Sequence, residues 1–180
     1  MNIPQNLQYA HSKISDVIDF PKPGIIFKDI TPVLQDEKAF NEVLDDLAKH
    51  LNGANKVAGI ESRGFIFASA LAYLNKKPLV LLRKKNKLPG KKISQKFKLE
   101  YGIDTIEVHK SSLNKKDKVI IVDDLIATGG TALASAKLIK KCKANISAFI
   151  FLIDLFDLLG NKKLQSNGYK TFKLINFPGH

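Results

Sequence analysis

A chain of 180 residues with 44% apolar composition is long enough to bury one hydrophobic core without disulfide bonds, and its single cysteine, Cys142, excludes an intramolecular one. The start shows no signal-peptide pattern and no apolar run approaches the roughly 20 residues of a membrane span, so we expect a cytoplasmic protein with no membrane partner. The net charge of +12 suggests a polyanion, but ten basic residues and no acidic one fall within positions 76–99, so the excess charge is concentrated in one segment.

The first 51 positions carry apolar residues at helical spacing in two stretches. Residues 7–18 predict an N-terminal helix that ends before Pro21, and residues 40–51 predict a second helix. Further along, short apolar runs alternate with helices, which is typical of a parallel sheet with helices on both faces. The predicted strands are 56–60, 79–83, 119–122 and 146–153, and the predicted helices are 65–74 and 131–142.

Between positions 84 and 118 the helical period disappears. The segment mixes Pro89, Gly90 and Gly102 with charged residues, and a weak alternation follows at 105–108. Because it is too long for an ordinary connection, we expect a mobile functional loop over about residues 84–108, with room for a small hairpin.

Arginine is rare in this chain, since only Arg63 and Arg83 occur among its 29 basic residues. A guanidinium binds phosphate in a planar, bidentate manner that an ammonium cannot reproduce. We therefore expect phosphate contacts at these two positions, with a chance distribution as the alternative.

The most informative segment is 119–131, in which an apolar strand ends at Asp123 and Asp124 and a helix opens at Thr131. The N–H groups of the intervening turn and the helix N-terminus converge on one point, which predicts an anion site. Carboxylates at the carboxyl end of a parallel strand suit the hydroxyls of a sugar. The chain has neither a Walker lysine nor GxGxxG, which argues against a P-loop NTPase and a classical dinucleotide fold.

This segment resembles the phosphoribosyl-pyrophosphate motif of the type I phosphoribosyltransferases. Four further segments, 20–34, 59–65, 82–90 and 99–102, resemble signatures of the adenine phosphoribosyltransferase family, and the match runs in order over about residues 3–155. The resemblance implies one domain over residues 1–180: an α/β fold with a Rossmann-like parallel sheet flanked by helices, a small N-terminal hood over about 1–35, and the long mobile loop. It also implies a homodimer and Mg²⁺ held mainly by the substrate, with no direct protein ligand.

The resemblance assigns the phosphate-binding roles. Asp123 and Asp124 would hold the ribose hydroxyls. The 5′-phosphate would lie in a cradle formed by Ala127, Thr128, Gly129, Gly130 and Thr131. The pyrophosphate would meet a loop with a cis peptide after its first residue, together with part of the basic segment; these residues are Glu61, Ser62, Arg63, Gly64, Arg83, Lys84 and Lys87.

The resemblance also assigns the base-binding and catalytic roles. Phe27 of the hood and Leu125 would enclose adenine, while the backbones of Ile26 and Lys28 read its edge. Glu100 would protonate or hydrogen-bond N7 of the purine. Enzymes for 6-oxo purines place an Asp where this chain has Ala127, so the proton role falls to Glu100. Two simpler interpretations remain open: Phe27 packs in the core of the hood, and Glu100 pairs with a lysine.

The implied function is purine salvage, in which phosphoribosyl pyrophosphate and adenine give AMP and pyrophosphate. One alternative is a regulator of the same fold that binds phosphoribosyl pyrophosphate without catalysis and uses its lysines for nucleic acid. Another is a phosphoribosyltransferase for a different purine. The lack of an appended DNA-binding module disfavours the first, so we expect no specific nucleic-acid partner, and Ala127 with the hood residues disfavours the second.

Overall fold

The computed structural model describes residues 4–99 and 102–179. Its helices are α1 (Gln8–Lys13), α2 (Thr31–Leu34), α3 (Glu37–Ala48), α4 (Gly64–Leu74), α5 (Gly130–Lys141) and α6 (Gly160–Ser166). Its strands are β1 (Ser15–Ile18), β2 (Ile26–Asp29), β3 (Lys56–Ile60), β4 (Leu79–Lys84), β5 (Lys92–Leu99), β6 (Gly102–His109), β7 (Lys118–Ile126), β8 (Asn145–Leu155) and β9 (Thr171–Phe177). No helix in these two ranges is long and apolar enough to cross a bilayer.

The main sheet has the strand order β5-β6-β4-β3-β7-β8-β9. Strands β4, β3, β7, β8 and β9 run parallel, whereas β6 is antiparallel to β4 and β5 is antiparallel to β6. One face packs against α3 and α4 through Leu47, Phe67 and Leu71, and the other packs against α5 through Leu138 and Ile139. The predicted parallel sheet flanked by helices is therefore confirmed.

Strand β7 is longer than the sequence pattern predicts. It continues to Ile126, because Asp123, Leu125 and Ile126 keep their register with β8. The two carboxylates thus belong to the last residues of a paired strand and do not follow it. That position fixes their backbone, since β8 pairs with β7 on both sides of Asp124.

The N-terminal prediction is wrong after Lys13. The helix ends where Ile14 adopts extended angles, and residues 15–18 form β1, which pairs antiparallel with β2. Val17 and Ile18 are β-branched, which favours a strand once a partner strand is available. Together β1 and β2 form the two-stranded sheet of the hood.

Most of the predicted loop at 84–108 is a hairpin of two eight-residue strands, β5 and β6. The buried carboxylate of Glu107 holds it together by accepting hydrogen bonds from Ser94 Oγ and the amide of Asn86, both at 3.1 Å, while Lys92 Nζ lies 2.8 Å away. Burial acts to raise the pKa of Glu107, but the hydrogen bonds and Lys92 lower it below its ordinary value. The small hairpin for which the sequence left room is therefore present but is longer than expected, and β6 also pairs with β4. The mobility of the segment stays a prediction.

The sequence pattern predicts no element after residue 153, yet α6 and β9 lie there. Strand β9 pairs parallel with β8 and forms one edge of the sheet. Helix α6 packs near the start of α5 and contributes to the site described next.

Candidate functional site

A cavity of about 300 Å³ opens at the carboxyl ends of β3 and β7. It contains most of the residues that the sequence analysis assigned to the sugar, its 5′-phosphate and the pyrophosphate loop. Its lining is Glu61, Ser62, Arg63, Asp123, Asp124, Leu125, Ile126, Ala127, Thr128, Gly129, Gly130, Thr131, Ala132 and Phe151.

The floor of the cavity is the turn between β7 and α5. Gly129 has a φ of +74°, a left-handed conformation that glycine adopts without strain, and it precedes the twelve-residue helix α5. The N–H groups of the first helical turn have no intrahelical partner and carry the positive end of the helix dipole. The turn and helix can therefore hold an anion.

Gly160 of α6 supports this turn from outside, and sequence reasoning missed it. Its amide donates a 3.0 Å hydrogen bond to the carbonyl oxygen of Ala127. A Cβ at position 160 would lie 2.1 Å from that oxygen and 2.7 Å from the amide nitrogen of Gly129. Only a glycine permits this approach, and no sequence signal marks it because the contacting residues are far apart in the chain.

Asp123 and Asp124 lie side by side at the cavity wall. The amide of Asp124 donates a 2.9 Å hydrogen bond to Asp123 Oδ1, and Asp124 is 5% exposed. Burial and then the charge of Asp124 raise the pKa of Asp123 well above its ordinary value. Burial also raises the pKa of Asp124, while the Arg63 guanidinium acts in the opposite direction. These shifts favour the protonated form of the pair relative to ordinary aspartates, and its oxygens can accept hydrogen bonds from hydroxyl donors.

Arg63 joins the Asp pair to the hood. Its Nη2 lies 2.7 Å from Asp124 Oδ2, its Nη1 donates a 3.4 Å hydrogen bond to the carbonyl of Lys28, and its guanidinium carbon lies 4.7 Å from the centre of the Phe27 ring. The structure therefore shows Arg63 with a carboxylate partner, although the sequence analysis assigned it to phosphate.

Arg83 is held by Glu61 in a similar way. Its Nε and Nη2 lie 3.2 and 3.3 Å from the two carboxylate oxygens, and Glu61 also accepts a 2.8 Å hydrogen bond from the amide of Lys84. Arg83 Nη1 donates to the carbonyl of Lys87 at 3.0 Å. Burial acts to raise the pKa of Glu61, but the bonds from Arg83 and Lys84 lower it below its ordinary value. The peptide between Glu61 and Ser62 is cis, as the resemblance implies.

The hood places Phe27 beside a second, largely apolar cavity of about 450 Å³. Phe27 makes an edge-to-face contact with Phe20 at 5.2 Å, and Ile26 pairs with Ile18 in the small sheet. The side chain of Lys28 is 4% exposed and turns away to Asp16, with Nζ 2.7 Å from Oδ1. Its backbone carbonyl remains at the site, where it accepts the bond from Arg63.

Glu100, the predicted acid, lies outside the described residues. Strand β5, which leads to it, approaches the cradle. A Cβ built on Gly130 would lie 3.7 Å from the carbonyl oxygen of Lys98. The end of β5 therefore reaches the start of α5.

Comparison with known proteins gives consistent results. A phosphoribosyl transferase domain family matches residues 33–176. The chain is 53% identical over 169 residues to an adenine phosphoribosyltransferase of Pelagibacter ubique, covering 93% of this chain and 97% of that protein. The crystal structure of adenine phosphoribosyltransferase from Thermoanaerobacter pseudethanolicus superposes with a TM-score of 0.90 at 46% identity, covering 95% and 99% of the two chains. The enzyme from Giardia lamblia, complexed with 9-deazaadenine, superposes with a TM-score of 0.91 at 35% identity, covering 97% and 99%.

Proposed function

This chain belongs to the adenine phosphoribosyltransferase family, and from that premise we propose that it transfers the 5-phosphoribosyl group of phosphoribosyl pyrophosphate to adenine, giving AMP and pyrophosphate in purine salvage. The observation that carries the proposal is one cavity in which a helix-terminal anion cradle meets the carboxylate pair of half-buried Asp123 and buried Asp124. Such a cavity suits a ligand that combines a phosphate with a polyhydroxylated sugar.

The phosphoribosyl group would be fixed at two points. The turn Ala127–Thr131 would hold the 5′-phosphate through its N–H groups, and Asp123 and Asp124 would accept hydrogen bonds from the ribose hydroxyls. With both ends held, the C1 carbon of the ribose is positioned for attack by N9 of adenine as pyrophosphate leaves.

The departing pyrophosphate would meet the loop Glu61, Ser62, Arg63 and Gly64 and the end of β4. Arg83 is already oriented by Glu61, and Lys84 and Lys87 lie beside it in the chain. Cations near the leaving group stabilise the negative charge that develops in the transition state. In this proposal the carboxylate partners of the two arginines orient them until phosphate oxygens arrive.

Adenine would enter between Phe27 and Leu125, with the backbones of Ile26 and Lys28 at its edge. The support is that Lys28 buries its ammonium against Asp16, which leaves only its backbone at the site. We propose Glu100 as the acid that manages the proton on N7, since Ala127 has no proton to offer.

Mg²⁺ would arrive with the substrate. Among the described residues no group of three or more His, Cys, Asp or Glu side chains could hold a metal by itself, whereas the carboxylates of Asp123 and Asp124 face the cavity. Such a lining fits Mg²⁺ that is held mainly by the substrate phosphates and keeps several waters, without a dedicated protein cage. Bound there, the ion would neutralise part of the pyrophosphate charge.

A panel of purine bases tests the function. With phosphoribosyl pyrophosphate and Mg²⁺, we expect kcat/KM for adenine to exceed that for hypoxanthine or guanine at least about a hundredfold, because a 6-oxo group leaves polar groups of an adenine site unpaired. The rate of pyrophosphate release gives kcat/KM for each base. Comparable values for hypoxanthine would contradict the adenine assignment, and no release with any base would favour the regulator.

We further propose a homodimer through an apolar face of α4 and β4. Arg83 lies 5.9 Å from the ring of Phe65, so this face of β4 borders α4. The exposed apolar side chains of this face carry no charge, and Arg83 at its border is paired with Glu61, so two copies can meet there without strong repulsion. Its exposed members are Ile66, Tyr73, Leu74, Leu79 and Leu81.

Analytical ultracentrifugation tests the dimer. We expect the wild-type chain of 20.0 kDa to sediment as a dimer and the double variant Leu74→Glu/Leu81→Glu to sediment as a folded monomer, because buried unpaired carboxylates oppose association. Ile103→Glu, at an equally apolar but remote exposed position on β6, is the control and should stay dimeric. A wild-type monomer at micromolar concentration would refute this interface.

A further inference from the structure

A second groove lies on the outer side of the phosphate cradle. It encloses about 390 Å³ between β5, α5 and α6. Four lysines line it, with Phe97, Leu133, Ala134 and Gly130 forming the rest. We call it the lysine groove; its lysines are Lys96, Lys98, Lys137 and Lys163.

The lysine groove holds positive charge that nothing in the described part of the chain neutralises. All four lysines are exposed, and none of their ammonium groups has a carboxylate within 4.0 Å among residues 4–99 and 102–179. The groove lining itself includes no acidic residue. Four like charges around one concavity repel one another and raise the local concentration of anions.

In the neighbouring cavities, acidic side chains outnumber basic ones. The main cavity is lined by three carboxylates, those of Glu61, Asp123 and Asp124, against one guanidinium. A cavity of about 240 Å³ beneath the hairpin has the carboxylates of Glu61, Asp104 and Asp123 against Lys84. A polyanionic substrate enters a site whose own lining is rich in acids, so positive charges just outside that lining would add to the attraction of the cradle, Arg83 and Lys84.

The lysine groove is connected to the cradle. Gly130 lines both the groove and the main cavity. Lys98 is at the strand end that approaches Gly130, and Lys163 follows Gly160, which supports the cradle, on α6. Lys137 lies seven residues into α5, about 10 Å along the helix axis from Gly130. Lys98, Lys137 and Lys163 therefore lie on elements that contact or support the cradle, and charges this near are only partly screened at physiological salt, where the Debye length is about 8 Å.

We propose that the lysine groove is an anion-capture site for phosphoribosyl pyrophosphate, which engages the phosphates of the substrate before and while they settle in the cradle. The inference rests on the proposed function and adds to it residues that act on substrate capture and not on bond cleavage. Adenine is uncharged, so its binding is independent of the groove. The groove shares Gly130 with the cradle, which favours a ligand whose phosphates also occupy the cradle over a nucleic-acid strand.

The test compares two fourfold variants of equal charge. The groove variant is Lys96→Gln/Lys98→Gln/Lys137→Gln/Lys163→Gln. The control variant is Lys110→Gln/Lys115→Gln/Lys116→Gln/Lys118→Gln, whose exposed lysines lie around the amino end of β7, opposite to the cradle. Both lose four positive charges, so effects of net charge alone are the same in the two.

At about 20 mM KCl we expect the groove variant to raise KM for phosphoribosyl pyrophosphate about tenfold or more, and the control variant to raise it less than about threefold. The kcat and the KM for adenine should stay within about twofold of wild type. At about 0.5 M KCl the difference should largely disappear, because salt screens these charges.

Binding of inorganic pyrophosphate, measured by calorimetry, separates this inference from the proposed function. If the wild-type protein fails to use adenine, the function is wrong, yet weaker pyrophosphate binding by the groove variant would still support the groove. Equal behaviour of the two variants, or a parallel fall in kcat, would overturn the inference. Loss of affinity for a single-stranded oligonucleotide with unchanged pyrophosphate binding would also overturn it.

Discussion

Replacing Asp123 with Asn is expected to lower kcat/KM for phosphoribosyl pyrophosphate by about 10²–10³-fold while leaving the protein at least as stable to unfolding as wild type. With the ribose bound, an ionised Asp123 would accept charge-assisted hydrogen bonds from its hydroxyls, each worth about 1.5–3 kcal/mol, and the neutral amide cannot ionise to provide them. It keeps an oxygen that can accept the 2.9 Å bond from the amide of Asp124. The substitution therefore removes function without removing a structural contact.

The pH dependence of stability gives a second readout for this variant. Because burial and Asp124 raise the pKa of Asp123, the native state holds a proton that the unfolded chain releases. The contribution to stability is present below the ordinary value of 3.8 and is lost as pH rises through the raised pKa. We measure the free energy of unfolding with urea at a series of pH values from 3.8 upward. As pH rises through the raised pKa of Asp123, this free energy should fall less in the Asp123→Asn variant than in wild type.

Asp117→Asn is the matched control for Asp123→Asn. Asp117 is a buried carboxylate that precedes the other end of β7, where it pairs with Lys56 at 3.1 Å. Removing that partner should lower stability, because the lysine loses its counter-charge, while kcat/KM stays near wild type. Parallel losses of stability and activity in Asp123→Asn would contradict its role at the ribose.

Replacing Gly160 with Ala is expected to lower kcat/KM for phosphoribosyl pyrophosphate by about 10²–10³-fold, because a displacement near 1 Å at a binding site has effects of this size. The added Cβ would lie 2.1 Å from the carbonyl oxygen of Ala127 and 2.7 Å from the amide of Gly129, so the backbone of the cradle must move. The larger part of the effect should appear in KM for phosphoribosyl pyrophosphate, and KM for adenine should change little.

Gly168→Ala is the control for Gly160→Ala. Gly168 lies just beyond α6 with a φ of +80° and no atom within 4 Å of a built Cβ. Alanine there is strained by about 1 kcal/mol but touches nothing, so stability should fall slightly and activity should persist. If Gly160→Ala kept wild-type kinetics, the cradle would not depend on the contact with α6.

The sequence by itself determined the parts of this protein that use contiguous residues. The parallel sheet follows from short apolar strands that alternate with helices, because each apolar run must be buried on both faces. The cradle follows from one uninterrupted segment, since β7, the turn at Gly129 and α5 are joined directly along the chain. Both could be predicted with nothing beyond local pattern and the physics of a helix N-terminus.

Only the tertiary structure decided which distant groups meet. Arg63 reaches the carbonyl of Lys28, 35 positions away, and the hairpin β5–β6 is held by the buried carboxylate of Glu107. Gly160 fits against Ala127 because two backbones approach more closely than any side chain allows. Such contacts depend on how two distant elements pack against each other. The sequence pattern of one element does not show which residue of the other element it will contact.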